Sequence, residues 1–119
     1  MRVLMGLLAL CLSVTVSAAD VDQLTAIDAI QTEDALLIDV RTDEEVTGGM
    51  LQGAAHVEYQ DLAAKISQLQ PDKDAPIVLY CKSGRRSGIA QDELTKLGYS
   101  HVINAGGYDE LKSALEASD

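Results

Sequence analysis

The 119-residue chain is poor in cations: nine Lys and Arg stand against 19 Asp and Glu, for a net charge of −10. So acidic a chain has little with which to neutralise phosphates, which excludes nucleic acid as a partner. Cysteine is equally scarce, and two residues are too few for a disulfide scaffold or a Cys-rich zinc module. Trp and Phe are absent, and Pro occurs twice. No apolar run reaches the ~20 residues needed to cross a bilayer. No segment repeats, and no linker divides the chain. A hydrophobic fraction of 47% beside 24% charged residues is that of a globular chain rather than a disordered one.

What is present is unevenly placed. Met1 to Ala19 holds one charge, Arg2, then an apolar run from Val3 to Leu12, then small and polar residues ending in Ser17-Ala18-Ala19. This order of basic start, short apolar stretch and small-residue end is that of a secretory signal peptide. Residues 1–19 are therefore expected to be a leader, cleaved after Ala19 or Ala18, and residues 20–119 a single exported domain, placed in the periplasm without lasting membrane insertion. Cys11 suggests a lipid anchor, but the preceding Leu10 is large where a small residue is wanted. Without the leader, eight cations face the same 19 acids, the charge is −11, and Cys81 is the one cysteine left. A lone thiol in an oxidising compartment is either buried and inert or reactive for a purpose.

The mature chain alternates helix-like and strand-like stretches. Asp22 to Ile30 spaces Leu24, Ile27 and Ile30 as a helix does, and Tyr59 to Leu69 places Leu62, Ile66 and Leu69 on one face before Pro71. Asp43-Glu44-Glu45 can start a short turn that Gly48-Gly49 stops. Leu36 to Val40, Ala55 to Glu58, Ile77 to Tyr80 and Val102 to Asn104 read as strands. A helix is expected over Ser87 to Leu97 with Ile89, Ala90, Leu94 and Leu97 inward and Gly98 as its left-handed stop. A last helix follows Gly106-Gly107 and carries Tyr108, Leu111 and Leu115. Short apolar strands separated by helices predict an α/β fold: a small, mostly parallel sheet in three layers, with helices on both faces. Sites in such folds gather at the carboxyl ends of strands, where Cys81 falls.

The loop after that strand reads Cys81-Lys82-Ser83-Gly84-Arg85-Arg86-Ser87. The following helix directs its positive end toward the sulfur, which favours thiolate. Lys82, Arg85 and Arg86 are three of only eight mature cations, and Gly84 permits a turn whose N–H groups cradle an anion. Asp39 and Arg41, at the end of a neighbouring strand, read as a structural ion pair and helix cap, with support of the loop as the alternative. His56 and His101 stand apart, neither has a second ligand at metal spacing, and both read as structural or surface residues. No metal or other cofactor is expected.

These residues resemble a known family, the single-domain rhodaneses, over nearly the whole mature chain. That family's cysteine loop of Cys, basic residue, any, Gly, any, Arg or Thr is matched by Cys81 to Arg86. Its Asp-x-Arg followed by an acid is present as Asp39-Val40-Arg41 and Glu45. A weakened Gly-His-Ile-x-Gly-Ala stands as Gly49 to Ala54, with Met50 in place of histidine, and Gly106-Gly107-Tyr108 matches a later Gly-Gly before a helix. The resemblance implies a thiosulfate sulfurtransferase, expected as a monomer. Cys81 would take the outer sulfur of thiosulfate as a persulfide and pass it to a thiophilic acceptor, cyanide or a thiol. Lys82 to Ser87 would hold the persulfide, and the three cations would attract the donor.

Two rivals share the thiolate-in-a-cradle design. A cysteine phosphatase or arsenate reductase needs Cys, five residues, then Arg; Ser87 stands at that position and Arg86 one place earlier. A sulfur carrier that holds persulfide without turnover keeps the same Cys81.

Overall fold

The computed structural model describes residues 21–118; the leader expected over residues 1–19 lies outside them. The described chain runs α1 (Gln23–Thr32), β1 (Leu36–Asp39), α2 (Asp43–Val46), β2 (Ala55–His56), a 3-10 turn (Tyr59–Asp61) leading into α3 (Leu62–Leu69), β3 (Ile77–Cys81), α4 (Arg85–Lys96), β4 (Val102–Gly107) and α5 (Tyr108–Ala117).

The central strands β1 and β3 carry apolar residues on both sides, so both faces must be covered, and the connections are long enough to place helices there. Ile77, Leu79 and Cys81 of β3 point into one layer with Leu62, Ile66, Ala90 and Leu94. Val78 and Tyr80 point into the other, with Ala26, Ala29 and Leu111. Each fully buried Leu or Ile contributes roughly 1.5–3 kcal/mol. The four strands pair in the order β2-β1-β3-β4, and every pairing among the described residues is parallel. The chain thus leaves β1 toward one edge and returns to β3 on the other side. The carboxyl ends of β1 and β3 flank the point where the winding reverses, the natural crevice of an open parallel sheet. Asp39 to Arg41 lie at one lip and Cys81 at the other.

Several expected details differ. Leu24 is 80% exposed, and α1 turns Ala26 and Ala29 to the sheet instead, because two small side chains let the helix approach it closely. Leu69, Ile89 and Leu97 also face outward. Helix α4 begins at Arg85, two residues earlier than Ser87, because Gly84 takes φ +98° and serves as its N-cap. This start turns Ser87, Gly88, Ala90 and Leu94 inward. Gly98 is left-handed as expected, at φ +101°. β2 is shorter than expected and β4 longer. Leu79 pairs with Asn104 while Cys81 pairs with Gly107, so β4 spends three residues where β3 spends two. Gly106, at φ +93°, absorbs this bulge.

Candidate active site

Cys81 closes β3 and is fully buried. Its Sγ accepts the Gly84 N–H at 3.0 Å and lies 3.4 Å from the Ser87 hydroxyl. Gly84 supplies no side-chain cap, so no capping side chain competes for the first-turn N–H groups of α4. Burial pushes the Cys81 thiol up. The Ser87 hydroxyl and the N–H groups of Ser87, Ser83 and Gly84 outweigh it, and hold the thiol below its ordinary value.

The loop is tied down from β4. Asn104, fully buried, donates from Nδ2 to the Gly84 carbonyl at 2.9 Å. Its Oδ1 accepts the Ser87 hydroxyl at 2.7 Å and the Gly106 N–H at 3.0 Å. Backbones also come close here. A Cβ on Gly84 would lie 3.3 Å from the Gly106 Cα, and one on Gly107 would lie 2.6 Å from the Lys82 carbonyl oxygen. Gly107 is therefore a packing requirement of the cysteine loop, whereas a Cβ on Gly106 would meet Val21, and that glycine is required by its positive φ. Asn104 lies outside the four motifs named above. Its one signal was a polar residue inside the apolar run Val102-Ile103-Asn104-Ala105.

Asp39 and Arg41 form the expected ion pair, 2.8 Å apart and almost fully buried. Asp39 also accepts the Arg41 backbone N–H at 2.9 Å. Arg41 continues to the Gly49 carbonyl at 2.7 Å and lies over the Tyr108 ring, 4.1 Å from its centroid. The expected helix cap is not Asp39 but Thr42, whose hydroxyl accepts the Glu45 N–H at 3.1 Å while Glu45 Oε1 accepts the Thr42 N–H at 2.9 Å. Arg41, Glu45, Lys82, Tyr108 and Asp109 line a cleft of about 260 Å³ beside the loop. Met50 lines a different groove, with Ile30, Leu37 and Leu115. Its segment is held by Arg41 and by the Leu51 N–H donating to the Tyr80 hydroxyl at 3.0 Å.

The three expected cations are not equivalent. Lys82 and Arg85 are exposed. Arg86 faces Glu45 in a two-pronged pair, 2.8 and 3.0 Å. Arg86 and the Thr42 N–H together hold the Glu45 carboxyl down at about 2. His56 and His101 are the structural and surface residues expected, though His56 has carboxylate neighbours in space that its linear spacing does not show. The fold brings Asp43 and Glu58 beside His56, with one ligand atom of each within 4.8 Å of the others. His56 Nε2 is 2.8 Å from the Arg41 carbonyl, and Glu58 already accepts from the Asp43 N–H and the Gln60 amide. This is a surface hydrogen-bond network that the linear spacing could not show. His101 lies at the surface, 3.9 Å from Glu33.

Residues 22–114 match the profile described as Rhodanese-like domain. The thiosulfate sulfurtransferase PspE of Escherichia coli (strain K12) is 38% identical over 74 residues, covering 62% of this chain and 71% of that protein. The putative sulfurtransferase YtwF of Bacillus subtilis (strain 168) is 41% identical over 75 residues, 63% and 71% of the two chains. Among solved structures, one described as rhodanese with anions from E. coli superposes with a TM-score of 0.62 at 37% identity, covering 64% of this chain and 89% of that one.

Proposed function

The chain belongs to the rhodanese-like domain family, and on that premise we propose that it moves the outer, sulfane sulfur of thiosulfate to a thiophilic acceptor through a persulfide on Cys81. One observation carries the reading: Sγ is an acceptor at the floor of a ring of N–H donors, at the amino end of α4, with its thiol held below the ordinary value. That environment favours a nucleophilic thiolate and suits a terminal sulfur anion.

In the first half-reaction the Cys81 thiolate attacks the sulfane sulfur of thiosulfate. A sulfur–sulfur bond forms to Sγ, the bond to the sulfonate sulfur breaks with its electron pair, and sulfite departs as a dianion. The persulfide retains the single negative charge. In the second half-reaction cyanide or a thiolate attacks the terminal sulfur, takes it, and leaves the Cys81 thiolate. The two steps predict ping-pong kinetics. Lys82 and Arg85 supply the attraction for the incoming dianion against a charge of −11 in the mature chain. Arg86 contributes less than its place in the loop suggests, because Glu45 already holds it.

The test is intact mass after thiosulfate treatment without reductant, beside a Cys81→Ser variant. Gain of one sulfur atom by the wild type alone, with steady sulfite release on adding cyanide, supports the reading. An unchanged wild-type mass overturns it, and loading without turnover indicates a carrier instead. We further propose that the protein acts as a monomer in the periplasm after removal of residues 1–19. Amino-terminal sequencing and gel filtration of the protein recovered from the periplasmic fraction test that.

A further inference from the structure

Arg41 and Lys82 line the cleft, Arg85 and Arg86 open α4 beside it, and two of these four cations are already paired. Arg41 is matched by Asp39 at 2.8 Å and Arg86 by Glu45 at 2.8 Å. Lys82 and Arg85 have no salt bridge among the described residues. Glu45 is no chance partner of a flexible arginine. Its carboxylate is fixed from its own side by the Thr42 N–H at 2.9 Å and the Thr42 hydroxyl at 3.2 Å. It therefore stands ready as an acceptor wherever Arg86 moves. It also lines the cleft with Lys82 and Arg41, so its negative charge faces the space an incoming anion must enter.

We propose that Glu45 determines donor specificity by holding Arg86 back from the incoming anion. This weakens the grip of the site on a dianion relative to an uncharged sulfane donor. The inference rests on the sulfur-donor reading above, and deepens it. A planar guanidinium matched to a carboxylate in two-pronged geometry has two of its donors occupied. An anion must break that match or bind without it. In either case it meets the Glu45 charge at close range, where the protein surface screens it less than bulk water does.

Glu45→Gln tests this cleanly, because glutamine keeps the side-chain oxygen that the helix-capping arrangement with Thr42 requires. For thiosulfate the KM should fall roughly twofold to fivefold, the effect of one exposed charge. The KM for an uncharged donor such as dimethyl trisulfide should change by less than about twofold, since no charge term enters. Adding Arg86→Gln to Glu45→Gln should abolish the gain. An unchanged or raised thiosulfate KM in Glu45→Gln overturns the proposal. So does an equal gain for both donors, or a gain that survives in the double variant. Protection of Cys81 from iodoacetamide by sulfite, which has no sulfane sulfur to give, reads anion affinity without turnover. If the wild type accepts no sulfur from thiosulfate, the proposed function fails. The protection constants still decide whether Glu45→Gln tightens anion binding.

Discussion

Asn104 on β4 reaches across the end of the sheet and donates its side-chain amide to the carbonyl of Gly84, 2.9 Å away. The same side chain accepts from Ser87 and Gly106, so one buried residue orients the turn, the hydroxyl beside the sulfur and the bulge behind it. The Ser87 hydroxyl has a single hydrogen, and both Asn104 Oδ1 and Cys81 Sγ stand within its reach. When the sulfur is a neutral thiol the oxygen is the better acceptor; when it is an anion the sulfur is.

Replacing Asn104 with Leu is expected to strand the Gly106 N–H in the interior and to leave the Ser87 hydroxyl with the Cys81 sulfur as its one acceptor. Each buried polar group left without a partner costs about 1–3 kcal/mol. Urea unfolding should show a loss of about 2 kcal/mol or more, and persulfide loading by thiosulfate should slow by at least about tenfold as the loop loses its fixed geometry.

Ser87→Ala removes a donor that favours the thiolate, so the Cys81 thiol should titrate at higher pH. The alkylation rate with iodoacetamide, followed against pH, should show its rise displaced upward and its value at neutral pH reduced. The sign also fixes a stability effect. A thiol held low in the fold contributes stability that is present above its unfolded value and lost as pH falls through the folded one. Ser87→Ala should therefore destabilise the protein more in alkaline than in acidic urea titrations.

Glu45 offers a second pH signature. Its carboxyl falls from an ordinary 4.5 to about 2, chiefly through Arg86 and then the Thr42 N–H. Its contribution is full above about pH 4.5 and disappears as pH falls through about 2. With both partners partly exposed, that contribution is about 1 kcal/mol. The difference in stability between wild type and Glu45→Gln should be of that size at pH 7 and mostly lost by pH 2, as measured by denaturant unfolding across the range.

Gly107→Ala places a methyl 2.6 Å from the Lys82 carbonyl oxygen. Backbone must move, at a cost of about 1–3 kcal/mol. Because the displaced carbonyl belongs to the cysteine loop, the alkylation rate of Cys81 should fall along with the thermal midpoint. A fall in the midpoint alone would mean that the strain is absorbed on the β4 side.

Local features were readable from the chain. Ile77 to Tyr80, Gly84 and the basic run after Cys81 lie within a dozen residues, and the strand, turn and helix follow from their neighbours alone. Gly98 needed only the left-handed rule. What escaped were relationships made by the sheet. Asn104 meets Gly84 because a bulge in β4 turns it under the loop, and no spacing rule relates those positions. Arg86 read as a free cation because Glu45 approaches from a different helix. Leu24, Ile89 and Leu97 fitted a helical stripe, but which stripe faces the sheet depends on how closely the helix packs. Around α1 the small Ala26 and Ala29 decided it.

The winding of the sheet also has a consequence in time. In an unfolded chain Cys81 is an ordinary thiol, since α4 is not there to present its N–H groups and Ser87 has no fixed position. Asn104 can grip the loop only after β4 has added to β3, and the cleft exists only once β1 has paired on the other side. Contacts so distant along the chain close late in folding. The reactivity of the sulfur is therefore expected to appear only once these pairings have formed, and a newly made chain to carry its nucleophile in a dormant state. The alkylation rate of Cys81 during refolding would mark that moment as a clock does.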